Sequence, residues 1–315
     1  MLPRSRRDYN MEINIKSSRS KLSSPWIYFA LAFGLTWIIE IVWWQLGISL
    51  ETASGQALLI LAMSGPAIAA IGLTYLTQDE MGRRDYWLRI IDLKRISVRW
   101  YLIIFLFAPA LYGLAALLDV LSGGSGATWG KTLAQLTIIP SLLTIFLTPF
   151  LEELGWRGYA LDRLQSRWSA LVSSLILSMA WALWHLPLSF SKGTYQHSLG
   201  VGSLGFWTFM IGFVPVTLLF TWIFNNNSRS TLSAILFHCV LNGSLELFTL
   251  TERAFTYSII LWYLAAIAIT LIWGPNTLTR QNKTTPPLFP QMVINDRRMP
   301  FMLRTAKNFE EIDPE

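Results

Sequence analysis

The sequence predicts an all-α membrane protein, a polytopic bundle of about eight transmembrane helices. Three observations predict it: a shortage of charge, apolar residues gathered into runs long enough to span a bilayer, and basic residues confined largely to one side of those runs. Charged residues make up 14% of the 315-residue chain and hydrophobic residues 53%, with a mean hydropathy of +0.42. An ordinary soluble domain carries about 25% charged residues. A helix of roughly twenty apolar residues crosses a hydrocarbon core about 30 Å thick, and lipid leaves no partner for backbone groups that a helix does not satisfy internally.

The predicted spans are residues 26–48, 55–77, 100–121, 140–165 (partly protruding), 169–190, 203–224, 232–250 and 257–274. Trp26 with Trp43 and Trp44 brackets the first, and Trp207 with Trp222 the sixth, as interfacial anchors. With the N-terminus inside, 22 of the 25 Lys and Arg fall on the inner side and three, Lys131, Lys192 and Arg253, on the outer. That asymmetry places both termini in the cytoplasm and supports an even number of crossings.

The chain divides into a basic cytoplasmic segment, 1–25, a transmembrane domain, 26–274, and a Pro- and charge-rich cytoplasmic tail, 275–315. No secretory signal peptide is visible; the first apolar run starts at Trp26 and reads as a retained anchor. The net charge of +6 does not indicate nucleic acid, because the basic residues occupy the segments between and outside the spans. One cysteine, Cys239, excludes an internal disulfide and any Cys-based metal set. Compact loops and the lack of a retention signal point to a prokaryotic plasma membrane. The stripe Gly65, Ala69, Gly72 reads as close helix packing rather than a hinge. No internal repeat is present, which weighs against a transporter built from repeated halves.

Ionisable groups within a span cost about 2.5–3.5 kcal/mol each on insertion scales, so each needs a reason. The candidates are Glu40, Asp119, Glu152, Glu153, Arg157, His185, His238 and Glu246, with the amide Asn242 beside them. Glu153 and Arg157, four apart, share a helix face and read as a salt bridge. Glu152 points about 100° away and needs a partner from another helix or a wet cavity; the bland alternative is an interhelical hydrogen bond. Glu152 and His185 straddle the polar turn Ser166-Arg167-Trp168-Ser169 at equal distances, roughly 16 residues or 25 Å of helix, so an antiparallel return brings them to one level. A lone core histidine is the alternative. His238 and Asn242, four apart, present donors on one face, which suits an oxyanion or polar glue between helices. Glu40 and Asp119 lack motif context and read as buried hydrogen bonds or cavity lining; Glu246 continues the face of His238 and Asn242 one turn on, is expected above the site near the outer side, and is assigned no chemistry.

Three stretches resemble a known family. Glu152-Glu153-Leu-Gly-Trp-Arg157 matches the EExxxR motif of the CPBP family, the CAAX proteases and bacteriocin-processing enzymes (also called Abi). Trp181-Ala-Leu-Trp-His185 is similar to its FxxxH motif with Trp in place of Phe, and His238-Cys-Val-Leu-Asn242 matches its HxxxN motif. The resemblance covers about residues 140–250. It implies an eight-helix bundle with an intramembrane cavity open to the cytoplasm, and an intramembrane endopeptidase. Glu152 would be its general base, aided by His185; His238 and Asn242 would hold the oxyanion; Glu153 and Arg157 would support the site. Eukaryotic members cut prenylated C-terminal peptides, and bacterial members are linked to peptide processing, immunity and secretion. The implied partners are a peptide or membrane-protein substrate and the lipid bilayer. Glu152, His185 and His238 could also bind zinc. There is no HExxH on one helix, and an Asn-paired His238 suits an oxyanion better than a metal, so no cofactor is expected, with zinc as the alternative. The competing functions are a non-catalytic immunity or scaffold protein and, behind it, a transporter.

Overall fold

The computed structural model describes residues 22–131, 135 and 139–280. The basic segment up to residue 21 and the tail from residue 281 onward lie outside the described residues. The fold is an antiparallel helical assembly, as the apolar runs require. Among the described residues six helices are long and apolar enough to cross a membrane: Pro25–Leu46, Ala53–Thr77, Val98–Leu121, Ala170–Phe190, Leu204–Asn226 and Glu252–Trp273. The other two predicted spans differ from simple crossings. Thr231–Leu247 is apolar but shorter, and 139–165 is a succession of short helical pieces.

Helix α1 (Pro25–Leu46) starts with proline in its first turn, where the missing N–H costs nothing, and stops at Gly47 in the left-handed conformation, whose N–H reaches the Trp44 carbonyl at 3.0 Å. The second span is broken into α2 (Ala53–Met63) and α3 (Gly65–Thr77). Pro66 has no N–H to give to the carbonyl four residues back, which is that of Ala62. The Thr36 hydroxyl of α1 donates to that carbonyl instead, at 2.8 Å. A Cβ on Gly65 would collide with Thr36 and with the Ala32 carbonyl of α1, so the packing reading of the small-residue stripe holds at Gly65 and at buried Ala69. Gly72 has open space beside it and takes no part.

The segment 78–99, read as a basic loop, contains a further helix, α4 (Glu80–Ile91), capped by the Asp79 side chain on the Gly82 N–H at 2.9 Å. It is docked, not free. Tyr86 donates to the Leu154 carbonyl at 3.1 Å, and Arg89 reaches Asp162 at 2.7 Å and the Gly158 carbonyl at 2.9 Å. Arg229 binds the same Asp162, while Arg95 pairs with Asp85 at 3.0 Å. Burial lowers the Arg89 guanidinium from its usual value, opposed mainly by Asp162. This ion network ties the helices together at the basic end of the bundle.

Next come α5 (Val98–Leu121) and a strand β1 (Ala127–Trp129). Then α6 (Ile139–Leu142), a π-turn at Leu143–Leu147, α7 (Thr148–Gly155), a second π-turn at Trp156–Ala160 and α8 (Leu161–Gln165) follow without a loop. The antiparallel return is α9 (Ala170–Trp184), followed by a 3-10 turn, Leu186–Phe190. After the short α10 (Tyr195–Leu199) come α11 (Leu204–Asn226), α12 (Thr231–Leu247), strand β2 (Phe248–Leu250) and α13 (Glu252–Trp273). β1 and β2 pair antiparallel, Ala127 opposite Leu250, a small correction to the all-α reading. Asp119 and Glu246 lie at this opposite end, and Asp119 is hydrogen-bonded as expected. Asp119 accepts from Arg253, from the Thr251 hydroxyl and from the Gly126 N–H; Glu246 pairs with Lys131.

Candidate active site

Glu152 and Glu153 sit on α7, Arg157 in the π-turn that follows it, His185 at the C-terminal cap of α9, and His238 and Asn242 on α12. Gly155 makes the close approach possible on one side, because a Cβ there would strike the Tyr28 hydroxyl and the backbone of Pro66. The second π-turn follows at once. Such turns are frequent at functional sites because the added residue re-aims the side chains beyond it.

Glu152 and Glu153 part company as their 100° offset requires. Glu153 is wholly buried and accepts from Arg157 Nη1 at 2.7 and 3.0 Å, the predicted i, i+4 pair. It also lies 3.0 Å from His238 Nδ1, a cross-helix bond the sequence did not reveal. Arg157 is itself wholly buried. Its charge is met on the other side by aromatic faces, at 4.5 Å from the Trp181 ring centre and 4.1 Å from that of Phe220.

Glu152 finds a partner on another helix, which the interhelical hydrogen-bond alternative equally expects. Trp181 Nε1 donates to Glu152 Oε2 at 2.7 Å. The Trp181 ring is also edge-on to His238, 5.4 Å between centres, and tilted against His185 at 6.2 Å. His185 caps the C-terminal end of α9, where Pro187 two residues on turns the chain into the 3-10 turn. Its Nδ1 lies 2.9 Å from the Trp181 carbonyl. A carbonyl can only accept, so Nδ1 carries the proton and Nε2 of the neutral ring keeps its lone pair. Phe213 and Trp184 pack on the same imidazole at 4.9 and 4.8 Å.

Asn242 sits one turn beyond His238 on α12 but bonds in another direction. Its amide nitrogen donates to the Thr144 carbonyl, inside the first π-turn, at 2.9 Å. The amide has a second N–H to offer. His238 and Asn242 are therefore both anchored to the 143–155 segment, one through Glu153 and one through Thr144.

Zinc held by Glu152, His185 and His238 would need the three to converge on one point. Among the described residues no group of three or more His, Cys, Asp or Glu is placed to hold a metal ion. The set does not fit a metal in this arrangement.

Two further features escaped the sequence. Trp181 looked like one aromatic replacing another; its buried indole N–H, which needs an acceptor in an apolar surrounding, was the available signal. Glu40 was expected to have a hydrogen bond or to line a cavity. It is wholly buried, and neither carboxyl oxygen has a hydrogen-bond partner among the described residues. It lies one turn from Trp37, whose indole donates to the Trp184 carbonyl at 3.2 Å, beside His185.

Comparison with known proteins follows the same residues. Residues 132–244 match the family model described as type II CAAX prenyl endopeptidase Rce1-like. The chain is similar to a CAAX prenyl protease 2 of Methanococcus maripaludis, with 32% identity over 254 residues, covering 79% of this chain and 93% of that protein.

Proposed function

The chain belongs to the CAAX prenyl endopeptidase family, and from that premise we propose that it is an intramembrane endopeptidase in which Glu152 activates the attacking water. The observation that carries the reading is the meeting of all three motif-bearing helices at Trp181, which hydrogen-bonds Glu152 and packs on both His185 and His238. Glu152 takes a proton from water as the oxygen attacks the peptide carbonyl, and gives it to the leaving amine when the tetrahedral intermediate collapses. His185, with its lone pair on Nε2, assists in holding that water. His238 and Asn242 stabilise the oxyanion. Glu153 accepts from Arg157 and from His238 Nδ1, so His238 Nε2 donates to the oxyanion when the ring is an imidazolium with Glu153 as counter-ion.

The mechanism is metal-free in this proposal. The substrate proposed is a C-terminal peptide behind a prenylated cysteine, on the strength of the name carried by the Methanococcus relative. The two shorter elements, 139–165 and Thr231–Leu247, cross with the six longer helices to make eight spans. The Lys and Arg distribution supports cytoplasmic termini and a wet cavity opening to that side.

The test uses purified protein in lipid vesicles with a quenched fluorescent peptide ending in farnesyl-Cys-Ala-Ala-Met, and the same peptide without the farnesyl group. Cleavage of the farnesylated probe is expected, abolished by Glu152→Ala and by His185→Ala while both variants accumulate in the membrane. Full cleavage by Glu152→Ala would remove Glu152 as the base; no cleavage of either probe by the wild-type protein would return the reading to an immunity or scaffold protein. A chelator should leave the rate unchanged; one tightly held zinc per chain, with activity lost on its removal, would replace the glutamate mechanism by a metal one.

A further inference from the structure

We propose that Trp181 is a positioning residue for the general base: its indole N–H fixes the Glu152 carboxylate, a role phenylalanine at the same motif position cannot fill. The proposal rests on Glu152 being the base and adds what holds it in place.

The geometry is that of a built contact. The Nε1–Oε2 distance is 2.7 Å, at the short end of the charge-assisted range, and Trp181 is only 2% exposed. Indole bonding is not automatic in this chain: the buried N–H groups of Trp184 and Trp222 have no hydrogen-bond partner among the described residues. Trp181 itself is held rigid. Phe213 and Phe220 pack edge-on against it at 4.9 and 5.7 Å, and the Arg157 guanidinium lies over it. The donor is thus presented by a ring that cannot easily turn away.

One hydrogen bond to Oε2 occupies one side of the carboxylate and orients the other oxygen, and a base misplaced by about 1 Å can lose about a hundredfold in rate. The same residue's carbonyl receives His185 Nδ1. Trp181 therefore sets the orientation of Glu152 by its side chain and that of His185 by its backbone. Only the first depends on residue type, so substitution separates them.

Two replacements are made in the full-length protein in vesicles, assayed on the farnesylated probe: Trp181→Phe, and Trp181 replaced by 3-benzothienylalanine, which keeps the bicyclic shape and lacks the N–H. Both are expected to lower kcat roughly 10- to 100-fold, the worth of a hydrogen bond to a charged group, with KM and thermal unfolding in detergent unchanged. A benzothienyl variant with wild-type kcat overturns the proposal, whatever Trp181→Phe does, because shape alone would then account for the residue. Glu152→Ala is assayed in parallel; if it still cleaves, the general-base reading itself fails, and that result is distinct from a wild-type benzothienyl variant beside an inactive Glu152→Ala.

Discussion

Two layers of this bundle bury carboxylates, and they treat them in opposite ways. At the basic end, Asp162 is met by two arginines, Arg89 and Arg229, and Arg229 and Arg95 reach on to Asp85. In the layer of the proposed site, Glu153 alone among the described residues is ion-paired, with Arg157, and it also lies 3.0 Å from His238 Nδ1. Its neighbour Glu152 is bonded by a neutral indole. The difference teaches a rule for reading buried charge. Where the group serves architecture, cations match it; Glu152, the base of the proposed mechanism, is oriented but not neutralised, as that role requires, because a direct cation would weaken it as a base.

The comparison can be broken or sharpened by substitution. The largest effect is expected for Glu152→Gln, which keeps the shape and the capacity to accept from Trp181. Cleavage should fall about 10²- to 10⁴-fold, with membrane accumulation and detergent stability unaltered; a stability loss as large as the activity loss would place Glu152 with the architectural charges. Arg157→Leu comes next. It strips a buried pair of one partner, which costs about 3–5 kcal/mol, so the protein should fail to accumulate or should unfold early in a denaturant titration. Asp162→Asn should be milder, about 1.5–3 kcal/mol from weakened bonds to charged groups, and the protein that does fold should cleave at the wild-type rate. Reduced kcat per folded molecule there would show that the two layers are coupled. Glu40→Gln is expected to do least: it removes an ionisable group with no hydrogen-bond partner from a membrane span, so accumulation should be equal or higher, measured by quantitative blotting of membranes.

Much of this was legible in the sequence because the bilayer imposes a coarse code. Runs of apolar residues mark the helices to within a few residues, and the i, i+4 spacing of Glu153 and Arg157 announces their contact. Counting residues about the turn at 166–169 brings the helix of His185 back beside Glu152, and the residue of that helix bonded to Glu152 is Trp181, one turn before His185. What the sequence did not show has physical reasons. Helix α4 is polar and short, and its stability comes from docking Tyr86 and Arg89 on the far-away segment 154–162. The π-turns add one residue per turn without any residue type that signals it, so the bond from Asn242 to the Thr144 carbonyl could not be foreseen. The β1–β2 pair joins residues about 120 positions apart through only three pairings. Glu40 looked like the other stray carboxylates, yet Asp119 and Glu246 have cations beside them and Glu40 does not.

The hydroxyl of Thr36 on the Ala62 carbonyl has a bearing on how a lipid-borne peptide gains access. Pulling α1 away from the α2–α3 break would strand a peptide oxygen in hydrocarbon, where no water could replace the lost bond. Those three helices therefore behave as one rigid wall, clamped further by the snug seat of Gly65. If the proposed prenylated substrate enters from the bilayer, it does so along some other seam of the bundle.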